Sequence, residues 1–151
     1  MIMLLMLLTP IWASTQAAPP STNATSANRV LIIDQSSTAV SGGKATLSIG
    51  PLRRTADIYA GDYEMKVAPY FFKSEKGRLA IVVSSESLVR VTNGIAAEIT
   101  GTATTSGKDG HTRRIDATAT PSDHNQGALK LWFISGDRKM VFNTSYHFVE
   151  K

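Results

Sequence analysis

The sequence predicts an all-β domain, arranged as an antiparallel β-sandwich or a partly open β-barrel built from hairpins, with one short helix near residues 85–93. Three observations predict this class. Beyond Arg29, short segments alternate apolar and polar residues, and clusters of Gly, Asp, Ser and Lys separate these segments. The same part of the sequence shows no long helical period. We therefore expect about eight to ten antiparallel strands.

The N-terminal residues differ in composition from the rest of the chain. Residues 1–17 contain an apolar run followed by a proline and small residues, which is typical of a secretory signal peptide. No Lys or Arg precedes the apolar run, so an uncleaved anchor is the alternative. Residues 18–28 lack large apolar side chains and are rich in Pro, Ser and Thr, which predicts a flexible leader. Residues 29–150 are then expected to form a single all-β domain.

Residues 67–83 contain three consecutive aromatic residues followed by a charged turn. With Glu75-Lys76-Gly77 as the loop of a hairpin, Phe71 faces Ile81 in the core. The opposite face is apolar too, and consists of Tyr70, Phe72, Ala80 and Val82. A hairpin that is apolar on both faces must be covered by another element or must bind something.

The segment after this hairpin predicts a short helix that could supply the cover. Leu88 and Val91 are three residues apart, Ser85 can cap the first turn, and Asn93-Gly94 provides a left-handed stop. A strand is the alternative, because the segment is short and contains β-branched residues.

Two further hairpins follow from turn chemistry. A three-residue loop at Lys108-Asp109-Gly110 pairs two strands of mainly small inward residues, and a two-residue turn at Gly136-Asp137 pairs the last two strands. The pairs expected from these turns are Ile99 with Ala119, Ala103 with Ile115, Leu131 with Phe142, and Phe133 with Met140.

Composition limits the classes of function. The chain has no Cys, which excludes disulfides, a thiolate nucleophile and a lipid-modified cysteine. Its net charge is +4, but the basic residues are spread along the sequence, which does not favour a nucleic-acid partner. Together with the export signal, these observations predict a secreted or periplasmic protein with no transmembrane segment in the mature chain.

Residues that could carry chemistry do not form a recognisable set. The histidines His111, His124 and His147 do not converge in the expected hairpins, so no metal site, cofactor or catalytic residue is predicted. A secreted hydrolase using carboxylates such as Asp62, Glu64 and Glu98 is the least favoured alternative, because sequence cannot place two of them across a cleft.

Aromatic residues beside lysines are the remaining signal, since such groups stack on sugars or contact anionic partners. The candidate ligand or partner face is Lys66, Tyr70, Phe72, Val82 and Trp132. We expect an exported, non-enzymatic module that binds a hydrophobic small molecule, a glycan or an envelope protein. The alternative is a structural or assembly subunit that forms homo-oligomers through the same surface.

Overall fold

The computed structural model describes residues 29–150. Over this range the chain forms ten strands, one α-helix and one 3₁₀ turn. The strands are β1 (Arg29–Ile33), β2 (Ser36–Val40), β3 (Gly43–Ile49), β4 (Leu52–Thr55), β5 (Ile58–Ala68), β6 (Glu75–Val82), β7 (Ala97–Thr105), β8 (Thr112–Pro121), β9 (Gln126–Ser135) and β10 (Arg138–Glu150). The helix α1 spans Ser85–Thr92, and the 3₁₀ turn spans Phe71–Lys73. The signal peptide and leader expected at residues 1–28 lie outside this range.

The strands form a closed, eight-strand antiparallel barrel with extra strands. Strands β5 to β10 pair in chain order, and β1 closes the ring because it lies between β10 and β4, which pairs in turn with β5. The hairpin β2–β3 pairs through β3 with β5, on the same edge of β5 that pairs with β4 but over a different part of the strand. The predicted all-β class is therefore correct, and of the two predicted architectures the structure is a barrel.

The two ends of the barrel carry different connections. One end, here called the helix end, carries α1 and the short turns from β4 to β5 and from β8 to β9. The start of β1 and the end of β10 also lie at this end. At the other end, here called the loop end, lie the connections β2–β3, β5–β6, β7–β8 and β9–β10.

Alternation of apolar and polar residues places one row of each strand of the eight-strand ring inside the barrel. Helix α1 covers the helix end, where its buried residues Leu88 and Val91 pack onto the same core. Its N-cap is Ser84 and not the predicted Ser85, because the Ser84 hydroxyl accepts from the Ser87 backbone N–H at 3.1 Å. The helix predicted near residues 85–93 is thus confirmed, and its alternative as a strand is wrong.

The predictions for the last two hairpins have different outcomes. The turn at Gly136-Asp137 and both pairs expected from it are confirmed. The register of the β7–β8 hairpin is wrong by two residues, because backbone and side-chain hydrogen bonds join Thr105 to His111 and leave a five-residue loop at 106–110. The pairs observed are Ile99 with Ala117 and Gly101 with Ile115. A slip of two residues keeps every side chain on its predicted face.

The hairpin predicted within residues 67–83 is wrong. Pro69 has no N–H to donate to a sheet, so β5 ends at Ala68 and the chain leaves the barrel wall before β6 begins at Glu75. The residues predicted as strand at 70–72 therefore lie in the β5–β6 connection, and Phe71 is exposed and not in the core. Helix α1 does not cover the apolar row predicted around Tyr70, since the helix lies at the opposite end of the barrel.

Candidate functional site

Three aromatic side chains project from the loop end of the barrel. Tyr70, Phe71 and Phe72 are 36%, 71% and 82% exposed, and we call them the aromatic tip. The rings of Tyr70 and Phe72 meet edge to face, with centroids 5.9 Å apart. Two large, strongly exposed phenylalanines side by side are uncommon on a monomeric protein, and such patches mark interaction surfaces.

The aromatic tip is held by hydrogen bonds within its own connection. The backbone N–H of Lys73 donates to the Tyr70 carbonyl at 2.9 Å, and that of Ser74 donates to the Phe71 carbonyl at 3.0 Å. The Ser74 hydroxyl accepts from the Val67 N–H at 2.9 Å, which ties the connection to the end of β5. The exposed rings therefore stand on a turn that several hydrogen bonds hold in place, as expected for a preorganised contact surface.

The β2–β3 turn supports the aromatic tip from one side. Gly42 adopts a left-handed conformation with φ of +74°, and a Cβ atom there would lie 3.0 Å from the Tyr70 hydroxyl oxygen. A side chain at this position would strain the backbone and displace the Tyr70 ring. Gly42 thus allows the turn and the tip to lie in contact.

Four lysines lie beside or near the aromatic tip. The ammonium of Lys73 lies 4.9 Å from the Tyr70 ring centroid and 5.9 Å from that of Phe72, within cation–π range. Three more exposed lysines lie nearby on the outer wall, and with Lys73 they form what we call the lysine collar: Lys44 on β3, Lys66 on β5 and Lys76 on β6. Within residues 29–150, only Lys66 of these four forms a salt bridge, with Glu64 at 3.3 Å.

A polar network lies just inside the barrel at the loop end. Arg113 Nη2 donates to Glu75 Oε2 at 2.5 Å, and the Tyr63 hydroxyl donates to Glu75 Oε1 at 3.2 Å. Burial and the neighbouring carboxylate raise the pKa of Tyr63. The network fills the interior below the loop-end connections, and its charged groups are already paired with one another.

A small cavity lies at the opposite, helix end. Its volume is about 20 Å³, and its lining, which includes Leu88, Val91 and Tyr146, is apolar. This volume is close to that of one water molecule and far below the roughly 300–1,000 Å³ of typical ligand pockets. As described, this cavity has no room for a hydrophobic small molecule.

The structure does not bring the five predicted site residues together. Tyr70, Phe72 and Lys66 lie at the loop end, while Val82 is at the far end of β6, 48% exposed beside Ile58. Trp132 is half-buried on the outer face of β9, between Lys130 and Lys139, whose ammonium groups lie 5.3 and 4.9 Å from its ring centroid. The predicted face therefore divides into a loop-end cluster and two separate positions.

The carboxylates considered for catalysis lie on the outer wall, and Glu98 is apart from the other two. Asp62 and Glu64 point outward from β5, whereas Glu98 points outward from β7 near the helix end. No group of three or more His, Cys, Asp or Glu in residues 29–150 is arranged to hold a metal ion.

Four members of the loop-end surface are absent from the predicted face: Phe71, Lys44, Lys73 and Lys76. A strand that continued through Pro69 would place Phe71 on the same inward face as Val67, which is why the sequence predicts it in the core. Lys44 lies far from the aromatics in sequence and joins them through its pairing with Ala68. The signal that could have found Phe71 was Pro69 itself, which is unfavourable inside a central strand.

Comparison with known proteins gives no family to which the chain can be assigned. No protein-family model, curated protein or solved structure matches it significantly. In the described part of the chain, no helix is both long and apolar enough to span a membrane.

Proposed function

We propose that this protein is an exported, non-enzymatic binding module that attaches to a component of the cell envelope through its aromatic tip. The observation that carries the proposal is the exposure of Phe71 and Phe72, at 71% and 82%, on a turn whose backbone is fixed by hydrogen bonds. Leaving such apolar area in water is unfavourable, so a surface of this kind is expected to lose its water in a complex.

The outer surface is favoured over the interior as the binding region. Among residues 29–150, buried side chains form a continuous core inside the barrel, and the cavity described at the helix end has a volume of only about 20 Å³. A hydrophobic small molecule bound inside would require the core to open, whereas the aromatic tip is accessible as it stands. The proposal therefore concerns a surface contact with an envelope component.

The test compares the retention of the exported protein in the cell envelope. The double variant Phe71→Ser with Phe72→Ser should move from the envelope fraction to the soluble exported fraction. The matched control is Ile95→Ser, which removes an exposed apolar side chain near the helix end and should leave the distribution unchanged.

Two results would overturn the proposal. One is equal retention of the double variant and the unmodified protein. The other is a concentration-dependent mass, measured by light scattering, that disappears in the double variant, because the tip would then serve the alternative function of self-association. A constant monomer mass together with loss of retention would support the binding module.

A further inference from the structure

We propose that the envelope component is an anionic lipid bilayer, into whose surface the aromatic tip inserts while the lysine collar contacts the headgroups. This inference rests on the proposed function and names the partner of the same surface. It commits to a membrane and not to a protein or a glycan, on three observations.

The first observation is the size and shape of the exposed apolar surface. The aromatic tip exposes roughly 400 Å², given the usual area of an aromatic side chain. Stable protein interfaces bury about 800 Å² per partner, so the tip alone is small for a protein contact. It is also a projection and not a groove. A projecting group suits a fluid phase, which needs no matching pocket.

The second observation is the chemistry of the side chains. The two most exposed rings belong to Phe71 and Phe72, which have no polar atom to orient a sugar, whereas glycan and small-molecule sites require such groups. Aromatic rings favour the interface between headgroups and acyl chains, where amphipathic elements bury their apolar side about 5–10 Å deep. Tyr70, with its ring against Phe72 and its hydroxyl near Gly42, suits the shallower headgroup level.

The third observation is the distribution of charge along the barrel. The lysine collar lies beside the tip, and Lys108, Arg138 and Lys139 add exposed positive charge elsewhere at the loop end. These seven basic residues outnumber the exposed acidic residues of the same end, Glu64, Asp109 and Asp137. The helix end carries five exposed acidic residues, Asp57, Glu86, Glu98, Asp123 and Glu150, and four arginines, Arg29, Arg53, Arg54 and Arg90, so its charges nearly balance. A negative surface would attract the loop end more strongly than the nearly balanced helix end, so electrostatic attraction favours the orientation that presents the aromatic tip.

The test uses the exported, processed chain, whose N-terminus is first read by mass spectrometry so that every variant begins at the same residue. Binding is measured by flotation with vesicles of phosphatidylglycerol and phosphatidylethanolamine, and with vesicles of phosphatidylcholine alone. We expect binding to the anionic vesicles that weakens as salt is raised. Phe72→Ser should weaken it by roughly tenfold or more, and Lys73→Gln by about fivefold.

Matched variants at the helix end separate this surface from general stickiness. Ile95→Ser and Arg53→Gln remove an exposed apolar and an exposed basic side chain far from the tip, and both should bind as the unmodified protein does. As a direct readout, Phe72→Trp should show a blue shift of its fluorescence with anionic vesicles and quenching by brominated acyl chains, after subtraction of the signal of the parent protein.

The outcomes distinguish this inference from the proposed function. If the unmodified protein does not bind anionic vesicles at low salt, yet its envelope retention still depends on Phe71 and Phe72, the lipid inference is wrong and the surface binds a protein or glycan. If neither vesicle binding nor retention depends on these residues, both proposals are wrong. Equal binding to neutral and anionic vesicles would also overturn the role given to the lysine collar.

Discussion

Arg113 on β8 donates to Glu75 on β6 at 2.5 Å, across the intervening strand β7. Both side chains point into the barrel and retain only 23% and 12% exposure. The second oxygen of the same carboxylate accepts from Tyr63 on β5, so this one group joins three strands at the loop end, directly below the connection that carries the aromatic tip.

Removing the carboxylate should therefore destabilise the barrel. We expect Glu75→Ala to lower the free energy of unfolding by about 2–3 kcal/mol, because it leaves the Arg113 guanidinium largely buried without its partner. Urea denaturation monitored by circular dichroism would measure the loss.

The matched control is the ion pair between Arg114 and Asp116, which has a similar N···O distance of 2.8 Å on the outer wall, where the arginine side chain is 69% exposed. Asp116→Ala should cost less than about 1 kcal/mol. Equal losses in the two variants would show that burial of the inner pair has no energetic consequence.

Alkaline pH should destabilise the protein through its buried tyrosines. Burial is the largest cause of the raised pKa of Tyr59, Tyr63 and Tyr146. The unfolded chain loses these protons near pH 10.0, while the folded chain keeps them. The folded state then binds more protons, so stability falls as the pH rises above that value.

For each such tyrosine the free energy of unfolding should fall by up to about 1.4 kcal/mol per pH unit. Urea denaturation between pH 9 and pH 11 would measure this slope. Tyr63→Phe removes one titrating group and should reduce the slope, although it also removes the hydrogen bond to Glu75. A slope that is unchanged in this variant would contradict the contribution assigned to Tyr63.

The aromatic tip should contribute little to the stability of the fold. Phe72→Ala should change the free energy of unfolding by less than about 0.5 kcal/mol, as is usual for an exposed position. The control Phe142→Ala removes a ring with no exposed area and should cost about 3–5 kcal/mol. A large loss from Phe72→Ala in thermal and urea denaturation would mean that its ring is packed, and the surface assignment would be wrong.

Two neighbouring positions in α1 should differ in the same way. Leu88 is buried and lines the cavity at the helix end, whereas Val89 points to solvent. We expect Leu88→Ala to lower the free energy of unfolding by about 2–4 kcal/mol, because it enlarges that cavity. Val89→Ala should have an effect below about 0.5 kcal/mol. Similar values for both would indicate that α1 does not close the barrel.

Local patterns predicted most of the fold because hairpins depend on neighbouring residues. Alternation assigned the inner face of β9 and β10, and the turn at Gly136 fixed their register. The β7–β8 loop shows the limit of this reasoning, since the sequence 106–110 contains two glycines and permits more than one loop length. In the structure, hydrogen bonds between Thr105 and His111 close a five-residue loop and continue the register of the strand pairs.

The candidate site was predicted less well because it depends on which end of the barrel each residue reaches. The sequence identifies Tyr70 and Phe72 but predicts them in a strand, and it groups them with Val82, which lies at the opposite end of the barrel. Closure of the sheet through β1 and β10 joins residues more than a hundred positions apart. Neither the alternation of apolar and polar residues nor the turn residues indicate which distant strands pair.

The pairing of Arg29 with Glu150 places the first and last strands side by side at the helix end. Most strands that follow one another in the chain are also neighbours in the sheet, so the barrel should tolerate circular permutation. A short linker would join Arg29 to Glu150, and new termini would be opened in the loop at 106–110. Such a rearranged chain would keep every strand neighbour and leave the β5–β6 connection untouched. Binding by the aromatic tip could then be measured in a protein whose strands are synthesised in a different order.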